Sequence, residues 1–290
     1  MTAEHSPALD RPPESRLLPA LDRLSNWPWW LLVSILLGLL IIYSILTDST
    51  WTTIFRALLE GIPRTLTMAF VGFLAAQTIG LSIGLGRVSS NVLYYNVATF
   101  YVEIIRGIPF LVLILFIAFA LAGLFVEGVN GLGEALSQRG LELLGAPLAE
   151  FSTRQLSFQT RFTAALAIAY GAFSAEIWRA GIESIERGQM EAARSLGMSY
   201  LQSMRYIILP QAVRRVLPAM GNDFVAMVKD TSLAQVLGVR EMTQIATLYA
   251  ASTFEYVSSF LILAFNYLVL TISLTRLVRW LERRLAKGRR

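Results

Sequence analysis

Long stretches almost free of charged residues limit the fold of this chain more than any other feature of its sequence. Residues 29–46 contain no charged side chain and match the 18 to 20 residues, roughly, that a helix needs to cross a bilayer. Hydrophobic residues make up 55% of the 290 positions and charged residues 16%, with a mean hydropathy of +0.56. These values exclude an ordinary soluble domain. We therefore predict an all-α polytopic membrane protein, because helices in lipid pair their own backbone groups.

Six transmembrane helices are predicted, an extra one near the N-terminus followed by five more. Gly107-Ile108-Pro109 interrupts the third, so a bent span is expected there, since proline cannot continue a regular helix. The fifth is short and contains Pro218 and Gly221, so we expect protein to cover it. The predicted spans are residues 29–46, 66–86, 97–126, 162–178, 213–229 and 257–277.

The remaining segments are polar or amphipathic. Residues 1–28 are rich in proline, lack a cleavable signal and are predicted to be a disordered cytoplasmic tail. Residues 50–64 are expected to form an amphipathic surface helix. The other predicted regions are a transmembrane domain over 61–282 with a large cytoplasmic loop at 182–212, a polar outer connection at 127–161, and a basic cytoplasmic tail at 283–290.

The distribution of basic residues predicts the orientation of the chain. Arginines are concentrated around Arg87, in residues 179–215 and at the C-terminus, whereas the intervening outer segments hold few. By the positive-inside rule, both termini and the 182–212 loop face the cytoplasm. The C-terminal basic residues are Arg276, Arg279, Arg283, Arg284, Lys287, Arg289 and Arg290.

The composition also argues against an enzyme. There is no cysteine and the one histidine, His5, lies in the polar tail, so thiol chemistry, a histidine-built metal site and a Ser/His/Asp triad are excluded. Neither of the two lysines, Lys229 and Lys287, belongs to a phosphate-binding G-x4-G-K-[ST] loop. Any energy from ATP must therefore come from another chain.

A helix-sized polar insertion, residues 191–210 with the sequence EAARSLGMSYLQSMRYIILP, lies between two apolar segments. Gly197 suits the left-handed position just past a helix end, and Ser199 with Gln202 matches a capping box for a second helix. Pro210 is expected to stop that helix. The local pattern predicts a short helix, a sharp corner and another short helix at the membrane surface.

This insertion resembles the EAA signature, EAA-x3-G-x9-I-x-LP, of the membrane subunits of ABC importers. The matching residues are Glu191, Ala192, Ala193, Gly197, Ile207, Leu209 and Pro210. The resemblance implies a type I permease core of five helices and a coupling helix that docks into a cytoplasmic ATPase. Ala192 and Ala193 would let it seat closely, and Glu191 would anchor it to its own loop or to the ATPase. The competing interpretation is an ordinary amphipathic loop helix with a chance glycine.

Other blocks resemble the polar amino acid branch of these permeases, which takes up substrates of the histidine, glutamine, arginine and glutamate type. They are Gly61 with Thr65 and Leu66, and residues 103–109 (EIIRGIP), 175–181 (AEIWRAG), 188–191 (GQME) and 229–233 (KDTSL). The extra first helix and the enlarged outer loop at 122–161 depart from the pattern. The resemblance implies a bacterial inner-membrane location, a second permease copy or paralogue, an extracytoplasmic binding protein, and ATPase subunits that bind ATP and magnesium, with no cofactor in this chain.

Four charged residues near the spans are spaced for pairing. Glu103 with Arg106, and Glu176 with Arg179, are three positions apart on predicted helices, so each pair is expected to form an ion pair near the cytoplasmic boundary. Such pairs either stabilise the structure or brace the inner end of a pathway.

Asn222 and Asp223 lie deeper, about 10 Å into the membrane from Arg215 at the helical rise per residue. Polar groups at this depth need water or a partner. Asn222 is a candidate to bond a substrate carboxylate or amine, and Asp223 is open between packing and function.

Two other functions fit a polytopic membrane protein. A secondary transporter would need an inverted repeat with a matching pair of broken helices, which the two halves do not show. A membrane scaffold or channel would leave the EAA spacing without a role. An ABC importer permease is the function that the sequence favours.

Overall fold

The computed structural model describes residues 29–286, in which helices are joined by short turns and no strand is present. The predicted tail at 1–28 and residues 287–290 lie outside the described residues. In chain order the α-helices are α1 (Trp29–Thr47), α2 (Ser49–Leu59), α3 (Ile62–Arg87), α4 (Val92–Gly107), α5 (Phe110–Leu115), α6 (Ala122–Gln138), α7 (Glu142–Ala149), α8 (Phe158–Glu183), α9 (Arg187–Ser195), α10 (Tyr200–Ser203), α11 (Leu209–Asp230), α12 (Met242–Thr253) and α13 (Tyr256–Ala286). Two π segments, Phe116–Leu121 and Met204–Ile208, join α5 to α6 and α10 to α11, and short 3₁₀ turns occupy Thr153–Gln155 and Thr231–Leu237.

Four helical segments of residues 29–286 are long and apolar enough to cross a membrane by length and composition: Trp29–Thr47, Ser49–Arg87, Phe110–Gln138 and Tyr256–Arg284. The helices α8 and α11, which the prediction of six spans also requires, are 26 and 22 residues long but are not in this group. Both pack against α3 inside the bundle, which suits their more polar composition. Six spans therefore remain a prediction.

The first helix α1 lies against the outside of the bundle, with Ile45 as its one buried residue. The second helix, α2, is amphipathic and buries Ile54 and Leu58. Its start is fixed by the Asp48 side chain, which accepts hydrogen bonds from the backbone N–H groups of Thr50 and Trp51. The extra N-terminal element is thus a lipid-exposed helix joined to a short helix that is packed into the fold.

Small residues bring α3 and α8 together at the centre of the bundle. Gly72, Ala76, Gly80 and Gly84 recur every fourth position and are buried on one face of α3. A Cβ on Gly84 would lie only 2.7 Å from Trp178 Cβ. Helices in lipid associate largely through such close packing of their backbones. Burying apolar surface against another helix gains little there, because lipid is equally apolar. This stripe, which we call the glycine spine, fixes α8 in position.

The predicted third span at 97–126 is two separate helical segments. Helix α4 ends at Gly107, and Ile108 is extended, with φ −96° and ψ 133°, as the residue before a proline prefers. The next helical segment, Phe110–Gln138, is 29 residues long and can cross a membrane by itself. The break was correctly predicted, but the single bent span was wrong, because the helix beyond Pro109 continues well past residue 126.

The outer connection at 127–161 is largely helical. Helix α6 continues to Gln138, turns at Gly140 with φ +79°, and α7 returns against it. Gly133 and Gly145 are buried where the two helices touch, and a Cβ at Gly145 would lie 2.6 Å from the Gly133 carbonyl oxygen. The enlarged loop is therefore a closely packed helical hairpin.

The short helix after Gly197 does not stop at Pro210, and this prediction was wrong. Helix α10 continues through a π segment into α11, and the Leu209 N–H bonds to the Met204 carbonyl, five residues back. A π turn widens the helix just before Pro210, whose ring would otherwise clash with the preceding turn. The predicted fifth span at 213–229 is accordingly part of the 22-residue helix α11.

The start of α12 is packed against the turn between α2 and α3. A Cβ on Gly61 would lie 2.5 Å from the Met242 nitrogen, so glycine is required at this contact. Glu241 is fully buried and caps α12 by accepting hydrogen bonds from the Thr243 and Gln244 N–H groups, both at 2.8 Å. Burial raises the pKa of the Glu241 carboxyl above its ordinary value, although these hydrogen bonds oppose the rise. The contact anchors α12 to the N-terminal part of the core.

Candidate coupling loop and translocation face

The first half of the insertion is helix α9, which ends in a Schellman motif. The N–H of Met198 bonds to the Ala193 carbonyl at 3.2 Å, and the N–H of Gly197 bonds to the Arg194 carbonyl at 3.0 Å. Gly197 has φ +82°, the left-handed conformation that the sequence predicted. A Cβ at Gly197 would meet nothing within 4 Å. Glycine is thus required here by backbone conformation and not by space.

The second half begins with the predicted capping box. The Gln202 side chain accepts from the Ser199 N–H at 2.8 Å, and the Ser199 hydroxyl accepts from the Gln202 N–H at 3.2 Å. These reciprocal bonds satisfy the first free N–H groups of α10. The corner between α9 and α10 is therefore fixed at both ends by residues within six positions of Gly197.

One face of the corner between α9 and α10 is exposed. Leu196 and Leu201 are 84% and 77% exposed, although both are large apolar residues. Glu191 and Ala192 are also exposed, and the side chain of Glu191 has no hydrogen-bond partner within residues 29–286. Ala193 is only 4% exposed and packs toward its own chain, so the expectation that both alanines face the ATPase was wrong for Ala193. We call the exposed set of Glu191, Ala192, Leu196 and Leu201 the docking face.

A network of alternating charges lies at the C-terminal ends of α3 and α8. Glu176 and Arg179 form the predicted ion pair, with Arg179 Nη2 2.9 Å from Glu176 Oε2. Arg87 also pairs with Glu176, and Glu183 lies 2.6 Å from Arg179. The spacing of Glu183, four positions after Arg179, could have indicated its part in the network. The part of Arg87 in this network could not be predicted from the sequence, because Arg87 belongs to another helix, α3.

The predicted pair of Glu103 and Arg106 is absent from the part of the chain that the structure describes. The Arg106 guanidinium lies over the Phe173 ring of α8, 5.5 Å from its centroid, and Glu103 is exposed. The contact with an aromatic ring of another helix replaces the ion pair with Glu103, because an ion pair between two exposed side chains of one helix contributes little. Arg106 also lies about 21 Å along α4 from the start of that helix. It is therefore distant from the turn that joins α3 to α4.

Asn222 and Asp223 occupy the middle of α11. Asn222 is exposed, and its side chain has no partner among residues 29–286. Asp223 is partly buried, and its Oδ2 is buried without a hydrogen-bond partner in the described residues. Two turns further along the same face, Asp230 accepts a hydrogen bond from the Tyr170 hydroxyl at 2.8 Å. The sequence did not identify Tyr170, which comes from α8.

The chain matches the family described as the binding-protein-dependent transport system inner membrane component over residues 76–287, which include the candidate coupling loop, Asn222 and Asp223. It belongs to this family. Family members are the membrane permeases of ABC transporters, whose ATPase is a separate subunit, so this permease is not itself an enzyme. They are multi-pass inner-membrane proteins that work with ATP-binding subunits and a substrate-binding protein.

Similar proteins include permeases of named transport systems. The glutamine transport system permease protein GlnP of Escherichia coli (strain K12) is 34% identical over 238 residues, covering 81% of this chain and 97% of that protein. The nopaline transport system permease protein NocM of Agrobacterium fabrum is 36% identical over 228 residues, covering 79% and 87% of the two chains.

Solved structures share the fold. A crystal structure of an amino acid ABC transporter with histidines matches this permease with a TM-score of 0.63 and 34% identity, covering 83% of this chain and 98% of that one. The MetNI methionine ABC transporter in an inward-facing conformation matches with a TM-score of 0.57 at 20% identity. That second likeness concerns the fold alone. The all-α type I permease fold predicted from the sequence is confirmed.

Proposed function

We propose that this permease imports polar amino acids by ATP-driven alternating access. The observation that carries the proposal is the corner between α9 and α10, in which a Schellman motif and a capping box hold an exposed docking face beside the bundle. Relatives named for glutamine and nopaline transport support the substrate class. A secondary transporter is not favoured, since it would use no ATPase and would leave this face without a partner.

The docking face is proposed to seat in a cleft of the partner ATPase, which would bind ATP and magnesium. Exposed Leu196 and Leu201 would supply the apolar contact, and Glu191 an anchoring charge-assisted hydrogen bond. Closure of two ATPases would pull two such loops together and shift the permease between inward-open and outward-open states. The Ile207, Leu209 and Pro210 part of the signature would transmit the movement, because it lies in the helical run between α10 and α11.

The pathway is proposed to lie beside α11, where Asn222 is exposed and Asp223 carries an unpartnered buried oxygen. A second permease copy or a paralogue would complete it. The ion pairs of Glu176 with Arg87 and Arg179 would brace its inner end, since the pair with Arg87 joins α3 to α8 and the pair with Arg179 lies along α8 at the same level.

Orientation is tested by single-cysteine labelling, which is simple in a chain without native cysteine. Ser195→Cys on α9 should resist an impermeant maleimide added from outside, since we place the coupling loop and both termini in the cytoplasm. Glu134→Cys on the hairpin and Ser252→Cys on α12 should react, because both positions are exposed and are placed outside. Labelling of Ser195→Cys in intact cells would refute this orientation.

Reconstitution with the partner ATPase and binding protein tests the proposed function. Proteoliposomes should accumulate an amino acid only when ATP is supplied, and Asn222→Leu should raise the concentration for half-maximal uptake several-fold. The substitution removes one or two hydrogen bonds to substrate, worth about 0.5 to 1.5 kcal/mol each.

The matched control is Asn96→Leu, because Asn96 is exposed on α4 and bonds only to its own helix. Unchanged uptake by Asn222→Leu would assign Asn222 to packing. Uptake that required no ATP would overturn the proposal as a whole.

A further inference from the structure

A groove of about 580 Å³ runs along the outer half of the bundle between the α5–α6 segment and α8. Its walls are almost wholly apolar and include Ile117 and Leu121 on one side and Ala164 and Ile168 on the other. Arg161, in the first turn of α8, is the one charged residue that lines it. An arginine beside an otherwise apolar groove, at the edge of the predicted span 162–178, indicates a binding site for an amphipathic molecule.

Backbone carbonyls hold Arg161 in place. Its Nε donates to the Leu156 carbonyl at 2.9 Å, Nη1 donates to the Ala118 carbonyl at 3.0 Å, and Nη2 donates to the Thr153 carbonyl. Ala118 belongs to the π segment, where the Ala122 N–H bonds to Ile117, five residues back. Where the π segment returns to α-helical register, the Ala118 carbonyl is left without its usual helical N–H partner. This explains why the Arg161 side chain binds there. The guanidinium is thus preorganised by two segments, the π segment and the turn at residues 153–156.

The charge of Arg161 is not neutralised by these contacts. Carbonyl groups carry only partial charges, and no ion pair within residues 29–286 includes Arg161. Three of the five guanidinium N–H groups bond to carbonyls, which leaves two for another acceptor. An anion beside the groove would neutralise the charge and complete the hydrogen bonds of the side chain.

The groove lies away from the candidate pathway. Arg161, Ala164 and Ile168 are spaced i, i+3 and i+7 and share one face of α8. Tyr170 and Phe173, which contact Asp230 and Arg106, lie on the opposite face at 100° per residue. A molecule in the groove would therefore contact the surface of the permease that faces lipid.

We propose that this groove binds a phospholipid, with its phosphate on Arg161 and one acyl chain between Ile117 and Ile168. The seven helical steps from Arg161 to Ile168 extend about 10 Å along α8, enough for roughly eight methylene groups of an extended chain. The phosphate supplies the missing negative charge, and the acyl chain covers the apolar walls. The lipid would link the π segment to α8 at the base of the helical hairpin.

Native mass spectrometry of the detergent-purified complex of permease and ATPase tests the site. Titrated with phosphatidylglycerol, the complex should retain the lipid, and Ala164→Phe should lower its occupancy about tenfold by filling the groove while leaving Arg161 in place. Ala264→Phe, at an exposed alanine of α13, is the matched control and should bind as the unchanged complex does. A diazirine on the acyl chain should crosslink to residues 117–124 or 161–168.

Two further probes separate lipid from other ligands. Diacylglycerol, which lacks the phosphate, should be retained far more weakly than phosphatidylglycerol, and inorganic phosphate should not displace the lipid. Equal retention of phosphatidylglycerol by Ala164→Phe and Ala264→Phe would overturn the proposal. Retention of diacylglycerol as strong as that of phosphatidylglycerol would remove Arg161 from the site, and binding of inorganic phosphate alone would mean an anion site without lipid.

Discussion

Gly197→Val should abolish substrate-stimulated ATP hydrolysis in the reconstituted transporter while leaving the permease inserted and folded. Gly197 holds φ +82° at the end of α9, and a residue with a side chain resists this conformation by about 1 to 2 kcal/mol, more when it is β-branched. The corner would open and α10 would leave in another direction. Hydrolysis is measured with and without substrate-loaded binding protein, and uptake is measured in the same vesicles.

The matched control is Gly188→Val in the same loop. Gly188 also has open space around the position of a Cβ, but it lies in helix α9 and its φ is not positive. The control should retain most of the stimulated hydrolysis, with a small loss from helix propensity. Full stimulation in Gly197→Val would show that the corner does not couple ATP hydrolysis to transport.

Gly80→Val should prevent the permease from folding into a stable bundle. A Cβ at Gly80 would lie 3.0 and 3.1 Å from backbone atoms of Ser174 and Ala175, and closer still to Ser174 Cβ. Overpacking costs about 1 to 3 kcal/mol where side chains move aside, and more here because backbone must move. That is a large part of a total stability of about 5 to 15 kcal/mol. Size-exclusion chromatography of a fluorescent fusion should show aggregate instead of a monodisperse peak.

Gly38→Val controls for the effect of a β-branched residue in a membrane helix. Gly38 lies in α1 and would place its Cβ in open space. This variant should elute as the unchanged protein does, with a similar melting temperature. If Gly80→Val behaved as Gly38→Val does, the close approach of α3 and α8 would not be essential to the fold.

Features determined by neighbouring residues were predictable from the sequence. The left-handed Gly197 and the Ser199–Gln202 capping box depend on residues a few positions apart, and both appear as expected. The break at Gly107–Pro109 is equally local, because proline constrains its own and the preceding backbone angles. The spacing of the EAA signature is also local, so the amino-acid sequence alone was enough to indicate the family.

Features that depend on contacts between distant helices were not predictable. Arg106 contacts Phe173 instead of Glu103, and Arg87 joins Glu176, because α8 brings these partners together. The orientation of Ala193 toward its own chain is likewise set by tertiary packing. The prediction that the helix stops at Pro210 was wrong because a π turn accommodates this proline. No simple residue pattern predicts a π turn. The hairpin at 122–161 needed the Gly133–Gly145 contact to be recognised as paired helices.

A continuous helical run extends from α10 to the end of α11. In the proposed coupling mechanism this run acts as a lever between the loop corner and the membrane. At about 1.5 Å per residue, Tyr200 to Asp230 forms a rod of roughly 46 Å with the loop corner at one end and Asn222 about three-quarters of the way along. A tilt of about 10° at that scale displaces one end by roughly 8 Å relative to the other. The π turn and Pro218 both interrupt the regular hydrogen bonding of this run, so in the proposed mechanism bending at these two places would set how much of a movement at the loop corner reaches Asn222.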